Sequence, residues 1–385
     1  MRILVIHNFY QHPGGEDVVF EQEKALLGTT EDVFSLTFAN QKGWRGVWQT
    51  LWLPWNIWAG QRVKQAIQHH RPDVVHIHNL HYASGPIAIR VAKRMGVPVV
   101  MTLHNYRLLC PSATLFHQGE VFTASIHANF PWKAVRKGVH SQSVIKTGWL
   151  AFTNWIHRRV GTWRMVDRYI TLTDFAKQLF VASSLGLSME KFVTKPNFVE
   201  DGPETTVPRG RHFLFVGRLT QEKGVHILLE AFAGTDYPLR IAGDGPLRDH
   251  VMEIAQTSPN ITYLGSLERA AIHQQLAACS ALLFPSIWYE GLPMTLIEAL
   301  AAGTPVIASD LGAMQSLVND GQNGWRFTPN DARALRKKAS EWINTDKIYK
   351  ERVGSGARGT YLQHYTATQN KKQLLTCYHA IKEIP

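Results

Sequence analysis

Apolar residues along this chain fall into short runs rich in valine and isoleucine, separated by stretches in which they recur every three or four positions. The runs predict strands over 2–7, 33–39, 74–79, 97–104 and 169–174 in the first half. In the second half they predict strands over 212–218, 239–245, 261–266, 281–286 and 305–311. Several, such as Phe213-Leu214-Phe215-Val216 and Ala281-Leu282-Leu283-Phe284, are apolar at every position, as expected where helices cover both faces of a parallel sheet. Strand–helix alternation at this spacing specifies βαβ units. The polar, Pro- and Gly-rich segment 200–211 interrupts the pattern midway, as a linker does. The expected architecture is α/β: two Rossmann-like, doubly wound domains, residues 1–199 and 200–365, facing across a cleft.

Composition narrows the class. A length of 385 residues fits two domains, and 45% hydrophobic with 18% charged residues is an ordinary globular balance. Cys110, Cys279 and Cys377 are too scattered for a disulfide framework or a zinc site and suit a reducing cytoplasm. The start, Met1-Arg2-Ile3-Leu4-Val5-Ile6, leads directly into a strand without a signal-peptide pattern, and no apolar run is long enough to span a bilayer. A soluble or peripheral cytoplasmic protein is expected. The net charge of +11 is uneven: no acidic residue occurs between Glu120 and Asp167, a stretch that holds Lys133, Arg136, Lys137, Lys146, Arg158, Arg159 and Arg164. Such a field attracts lipid head groups, diphosphates or nucleic acid, the plain alternative being a solvated helical face.

Ligands of doubly wound sheets bind at the carboxyl ends of the strands, so the chemistry is sought in the loops that follow them. After the first strand stands His12-Pro13-Gly14-Gly15-Glu16-Asp17, where Gly14 and Gly15 open a helix and let backbone amides approach an anion, or simply form a tight turn. The G-x-G-x-x-G fingerprint of dinucleotide enzymes is absent. Gly217-Arg218-Leu219-Thr220-Gln221-Glu222-Lys223-Gly224 puts two cations at a strand end beside a helix start, suited to hold a diphosphate and stabilise it as it leaves; structural salt bridging is the alternative. Gly243-Asp244-Gly245-Pro246 is a turn that would pass close to a nucleotide. After 281–286 come Glu290, Gly291 and Leu292, then Pro293 opening a helix that carries Glu298. Two carboxylates flanking a helix N-terminus would hold the two hydroxyl-rich ends of a nucleotide sugar, or serve only as surface glutamates.

Glu290, seven intervening residues and Glu298, followed by Ala301-Ala302-Gly303-Thr304-Pro305-Val306-Ile307-Ala308-Ser309, closely resembles the signature of family 4 glycosyltransferases. Gly14-Gly15, His104-Asn105, Pro196-Asn197, Gly217-Arg218-Leu219, Glu222-Lys223-Gly224 and Gly243-Asp244-Gly245-Pro246 resemble that family in the same order, over nearly the whole chain. The resemblance implies a GT-B fold, a retaining reaction and a nucleotide-diphosphate sugar donor held mostly by the second domain. It implies that Glu298 binds the ribose hydroxyls and Glu290 those of the transferred sugar. Arg218 and Lys223 would clamp the diphosphate and Gly15 approach it from the first domain. His104 would sit beside the reacting sugar, and Asn197 would line the cleft near the hinge. The final helix, 366–385, would cross back onto the first domain. The chain departs from the family at Leu311-Gly312-Ala313-Met314-Gln315, where many relatives read Gly-Gly-x-Pro-Glu, and at 117–128, which has no cysteine pair.

No Asp-x-Asp metal handle occurs, so Arg218, Lys223 and helix N-termini are expected to neutralise the leaving diphosphate without a metal or other cofactor. No carboxylate nucleophile for a double displacement is evident, which favours front-face attack. His76, His78 and His81 resemble a metal cluster, with His76 and His78 on one strand face, but no carboxylate or cysteine is expected near them; polar residues at a strand's cleft end are the expectation, not zinc. Trp44, Trp48, Trp52, Trp55 and Trp58, bordered by Arg45, Arg62 and Lys64, form one helical stripe that Pro54 would kink. Tryptophans backed by cations, with Lys133, Arg136 and Lys137, suit an anionic membrane surface or a lipid-linked acceptor. Competing readings are a nucleotide-sugar epimerase or phosphorylase of the same fold and a basic nucleic-acid-binding protein. The paired glutamates favour transfer over epimerisation, no pyridoxal-phosphate lysine signature occurs, and no nucleic-acid recognition motif is present.

Overall fold

The computed structural model describes residues 1–11, 14–202 and 208–382. His12-Pro13 beside Gly14-Gly15, 203–207 of the expected linker and 383–385 of the expected final helix lie outside the described residues. The chain divides into two compact units, one of Met1–Leu115, Phe122–Asn197 and Asn370–Pro385, the other of Phe116–Val121 and Phe198–Gln369.

Unit 1 contains strands β1 (Arg2–Phe9), β2 (Asp32–Ala39), β3 (Val74–Ile77) and β4 (Val99–Leu103). The short strands β5 (Phe116–His117) and β6 (Glu120–Val121) form a hairpin grouped with unit 2, where Phe116 packs on the core. Strands β7 (Arg168–Thr171) and β8 (Phe192–Thr194) complete the first sheet, in the order β2-β1-β3-β4-β7-β8 with every pair parallel. Its helices are α1 (Gly15–Leu27), α2 (Gly43–Trp52), α3 (Ile57–His70), α4 (Ile87–Arg94), α5 (Trp132–Lys137), α6 (Val144–Arg159) and α7 (Asp174–Ala182). Unit 2 carries β9 (Phe213–Val216), β10 (Leu239–Ala242), β11 (Ile261–Gly265), β12 (Ala281–Phe284), β13 (Val306–Ser309) and β14 (Gly324–Phe327), in the order β11-β10-β9-β12-β13-β14. Its helices are α8 (Val225–Phe232), α9 (Arg248–Thr257), α10 (Arg269–Ala278), α11 (Met294–Ala301), α12 (Met314–Leu317), α13 (Ala332–Asn344) and α14 (Lys347–His364); α15 (Ala367–Lys382) ends the chain. Both sheets are doubly wound, with reversals of strand order beside β1 and β9, where such folds bind ligands.

The ten expected strands form, but most end two or three residues early, because the last positions of each apolar run leave the sheet to build a loop. At β10 the cause is steric: Gly243 has φ +144°, and a Cβ there would stand 1.9 Å from the Gly217 carbonyl oxygen. Strands β8 and β14 were not expected; each has only three or four residues, too few for a periodic signal. Buried Leu374, Cys377, Tyr378 and Ile381 of α15 join Ile3, Val5, Val74, Val100 and Ile170 in one apolar cluster of unit 1, so the last helix completes that core.

Candidate active site

In unit 2 the loop after β9 is drawn against the loop after β12. Gly224 has φ +71°, and a side chain there would strike the Pro285 carbonyl oxygen at 1.9 Å, so only glycine allows this approach. Ile287 N donates to Glu222 O at 2.9 Å and Ser286 Oγ to the same oxygen at 3.2 Å. Lys223 is thereby delivered to Glu290: Nζ lies 2.7 Å from Oε1, which also accepts from Ser286 Oγ at 2.7 Å. The Phe284 and Trp288 rings flank the ammonium at 5.5 and 5.6 Å. The two groups that the resemblance assigns to diphosphate and sugar thus hold one another.

Arg218 is exposed and only 3.5 Å from Glu222, a pairing weak enough to exchange for an anion. The carboxyl of Glu298, in the second turn of α11, makes no hydrogen bond or ion pair among the described residues, and burial pushes it above the usual range, partly offset by Arg269. Gly291 and buried Leu292 lead into Pro293, the N-cap of α11. Gly217, Gly243 and Gly245 serve close packing: Leu219 N donates to Asp244 O at 2.9 Å, and a Cβ on Gly245 would meet Leu219 O at 2.7 Å. Asp244 itself is exposed.

In unit 1, Gly14 caps α1, its N–H donating to Asp17 Oδ2 at 2.8 Å, and neither Gly14 nor Gly15 has an atom within 4 Å of where a Cβ would stand. His104 follows β4. Its Nε2 is 3.2 Å from His78 Nδ1, and burial holds its imidazole down at about 3, so it is neutral at pH 7. Asn197 is buried just beyond β8. The expectation that no carboxylate stands near the histidines is wrong: Glu23 of α1 lies with His76 and His78, their ligand atoms within 4.8 Å of one another. Burial pushes the Glu23 carboxyl up, but the ammonium of Lys195, paired with it in the core, together with His76 and His104 holds it below the usual range. An ammonium therefore supplies the countercharge that a metal would bring. His76 is held on both ring nitrogens, by Thr102 Oγ1 at 2.8 Å and by Tyr378 OH of α15 at 2.7 Å. His81 lies apart, its carbonyl accepting from Asn40 Nδ2 at 3.1 Å.

The five tryptophans do not lie on one helix. Pro54 ends α2, a 3-10 turn spans Leu53–Trp55, and α3 begins at Ile57 with Asn56 as its cap. All five are nonetheless exposed, between 39% and 69%. Helix α6 packs on this segment: Trp149 Nε1 donates to Thr50 O at 2.6 Å, His157 Nε2 is 2.6 Å from Pro54 O, and the His157 ring stacks on Trp55. The tryptophans and the cation-rich stretch, separate in the sequence, are joined, with Lys133, Arg136 and Lys137 exposed on α5 beside α6. Residues that sequence reasoning gave no role are Lys195, Ser286, Trp288 and Arg107. A lysine inside the apolar segment Phe192-Val193-Thr194-Lys195 was the one available signal.

Residues 202–360 match the family model described as glycosyl transferases group 1, and residues 36–201 match glycosyltransferase family 4. D-rhamnosyltransferase WbpZ of Pseudomonas aeruginosa is 35% identical over 161 residues, 41% of this chain and 42% of that protein. O-antigen chain mannosyltransferase C of Escherichia coli is 30% identical over 44% of this chain and 47% of its own length. The chain thus spans less than half the length of these two relatives. Among solved structures, Anabaena HepE in complex with UDP superposes with a TM-score of 0.69 at 19% identity, covering 99% of this chain and 100% of that one. Sucrose-phosphate synthase of Thermosynechococcus elongatus does so with a TM-score of 0.71 at 16% identity, covering 99% of each. Two adjoining family matches over residues 36–360, on two doubly wound parallel sheets of GT-B type, assign the chain to the family 4, group 1 glycosyltransferases.

Proposed function

We propose that this chain is a retaining, metal-independent glycosyltransferase that moves a sugar from a nucleotide diphosphate to a glycan or lipid-linked acceptor. The observation that carries the reading is the group at the carboxyl edge of the unit 2 sheet: Lys223 paired with Glu290 at 2.7 Å, exposed Arg218, and Glu298 without a partner. On donor binding Glu298 accepts from the ribose hydroxyls and Glu290 from the transferred sugar, while Lys223 turns from Glu290 to the diphosphate and is joined there by Arg218. The N-terminus of α11 adds partial positive charge. Fixed cations then stabilise the leaving diphosphate, whose oxygen takes the acceptor's proton in a front-face attack. The resemblance gives Gly14, Gly15, His104 and Asn197 further roles in donor binding, His104 as a neutral hydrogen-bonding group. Relatives named as a rhamnosyltransferase and a mannosyltransferase support sugar transfer, and the UDP bound to HepE supports a nucleotide diphosphate donor.

The test is thermal stabilisation by UDP-, GDP-, ADP- and dTDP-sugars in excess EDTA. One nucleotide should raise Tm by several degrees, since a hundredfold excess over Kd contributes about 2.7 kcal/mol. Glu298→Ala should remove the shift. No shift from any donor to folded protein, or one that appears only when divalent metal is restored, would overturn the reading.

We further place the reaction in the cytoplasm, with the tryptophan face against an anionic membrane. Exposed Trp44, Trp48, Trp52, Trp55 and Trp58 flanked by cations support this, and among the described residues no helix is long and apolar enough to cross a bilayer. Vesicles containing a third of anionic lipid should carry the protein upward in flotation, and Trp48→Glu with Trp58→Glu should leave it at the bottom. Equal flotation of wild type and the double variant would exclude this face.

A further inference from the structure

At the amino-terminal edge of the unit 2 sheet, opposite the donor loops, α13, α14 and the segment leading into β9 enclose a groove of about 990 Å³. That volume lies at the top of the ~300–1,000 Å³ range of small-molecule sites. Ser280 and Pro305, which stand just before β12 and β13, line it, whereas Lys223 and Glu290 stand in loops at the far ends of β9 and β12. Five cations border the groove against one carboxylate, Glu351, among the described residues. Two of them hold the fold together: Arg209 donates from Nη1 to Thr304 Oγ1 at 2.9 Å and from Nη2 to Ala302 O at 2.6 Å, and Arg358 forks onto Asp201 at 2.7 and 2.6 Å. Three are left to the groove. Arg211 is exposed and has no hydrogen bond or ion pair among the described residues. Lys350 uses one N–H, on Ile343 O at 2.9 Å, and Lys347 stands 3.7 Å from Glu351 in an exposed pairing of little strength. Burial first, then the Arg211 guanidinium, push the Lys350 ammonium below its ordinary range, and Asp346 offsets this only in part.

A second observation comes from α14 itself, which carries Gly354, Gly356 and Gly359 in its interior, where glycine weakens a helix. Packing accounts for two of them: a Cβ on Gly354 would stand 3.0 Å from Gly303 O, and one on Gly356 1.9 Å from Gln322 O. Gly359 has no atom within 4 Å of where its Cβ would stand, and it lines the groove on the same helix face as Glu351, Ser355 and Leu362. A helix residue without a side chain at that place lets a ligand come close to the backbone. We propose that this groove is a second ligand site, apart from the donor loops, and that it takes a sugar phosphate: the phosphate on Arg211, Lys347 and Lys350, the ring over Gly359 beside the Ser355 hydroxyl. Charge commits the occupant, since a guanidinium fork and two ammonium groups facing a single carboxylate match the oxygens of a phosphate dianion. The volume leaves room for a ring beyond the phosphate.

Binding is measured by titration calorimetry on the full chain with three probes: mannose 6-phosphate, mannose and inorganic phosphate. Mannose 6-phosphate should bind about tenfold or more tightly than either of the others. Arg211→Gln combined with Lys350→Gln should weaken it about 10- to 100-fold, the worth of charge-assisted hydrogen bonds. Gly359→Leu should abolish binding without lowering Tm, because leucine is the better helix former and its side chain would fill the groove. Lys223→Ala, at the donor loops, should leave the affinity for mannose 6-phosphate unchanged. No binding of mannose 6-phosphate, equal binding of mannose or of inorganic phosphate, or binding that survives Gly359→Leu overturns the proposal. A loss of affinity in Lys223→Ala overturns it too, by placing the probe at the donor loops. If mannose 6-phosphate binds as expected while no nucleotide sugar stabilises the protein, this site stands and the transferase reading falls; the reverse result leaves the transferase reading and removes the site.

Discussion

Replacing Lys223 by alanine should lower kcat by about 10²–10³, the usual cost of removing one fixed group that meets charge developing in a transition state. Two effects combine. The leaving diphosphate loses an ammonium that the Gly224–Pro285 contact and the 3-10 turn Gln221–Lys223 hold in place. Glu290, buried and paired with Nζ at 2.7 Å, also loses its countercharge and keeps only Ser286 Oγ among the contacts named above. Donor KM should move much less than kcat, because Arg218 and the helix end still meet the ground-state diphosphate. Initial rates over a range of donor concentrations, with circular dichroism to check folding, measure kcat and KM separately. A loss of less than threefold in kcat would remove Lys223 from the transition state and leave it a structural partner of Glu290.

Unit 1 should lose stability steeply between pH 6.5 and 5. His76, His78 and His81 are buried and held well below 6.5, in each case first by burial. Neighbouring groups add to it: Arg107 opposes a charge on His81, and within the cluster a proton on one imidazole opposes a proton on the next (His78 on His76, His104 and His7 on His78, His140 on His81), against which Glu23 raises His76 only in part. The folded chain therefore binds fewer protons than the unfolded chain once pH drops below about 6.5. Stability is full above that value and falls as pH falls, at about 1.4 kcal/mol per group per unit, so about 4 kcal/mol per unit for the three. Against a typical reserve of about 5–15 kcal/mol, one and a half units is a large part of the whole. Urea midpoints at pH 7.5 and pH 5.5 read this directly. Midpoints that agree at the two values would mean that these histidines take up protons in the native state. Glu23 acts later in the same direction: its lowered carboxyl favours the folded state above the ordinary carboxylate range and ceases to as pH falls through its folded value.

The strands and the fold class were legible because they depend on local chemistry. Runs such as Phe213–Val216 and Ala281–Phe284 are apolar on both faces wherever they fold, and only a sheet covered on both sides accepts them. The turn glycines after β9 and β10 follow from a related cause, since a loop at a strand's carboxyl end needs particular backbone freedom, whereas the roles expected of Glu290 and Glu298 came from the family resemblance. Gly224 is the clearest instance: its φ of +71° and the 1.9 Å approach to Pro285 O leave no other residue type.

What the sequence by itself determined is therefore the sheet pattern and the family signature. Partnership was decided only by the tertiary structure. Glu23 sits on the apolar face of α1 with Val19 and Leu27, 172 positions from the lysine that neutralises it, and nothing local to either residue names the other. The tryptophans read as one helix by spacing, yet Pro54 breaks them into two, and α6, 99 positions away, brings the cations to their side. Lys223 read as a diphosphate ligand and is found on Glu290, because an ammonium and a carboxylate brought together at a sheet edge neutralise each other. Period and spacing are set by neighbours within a few residues; charge balance in a core is set by whichever distant group the fold brings within about 3 Å.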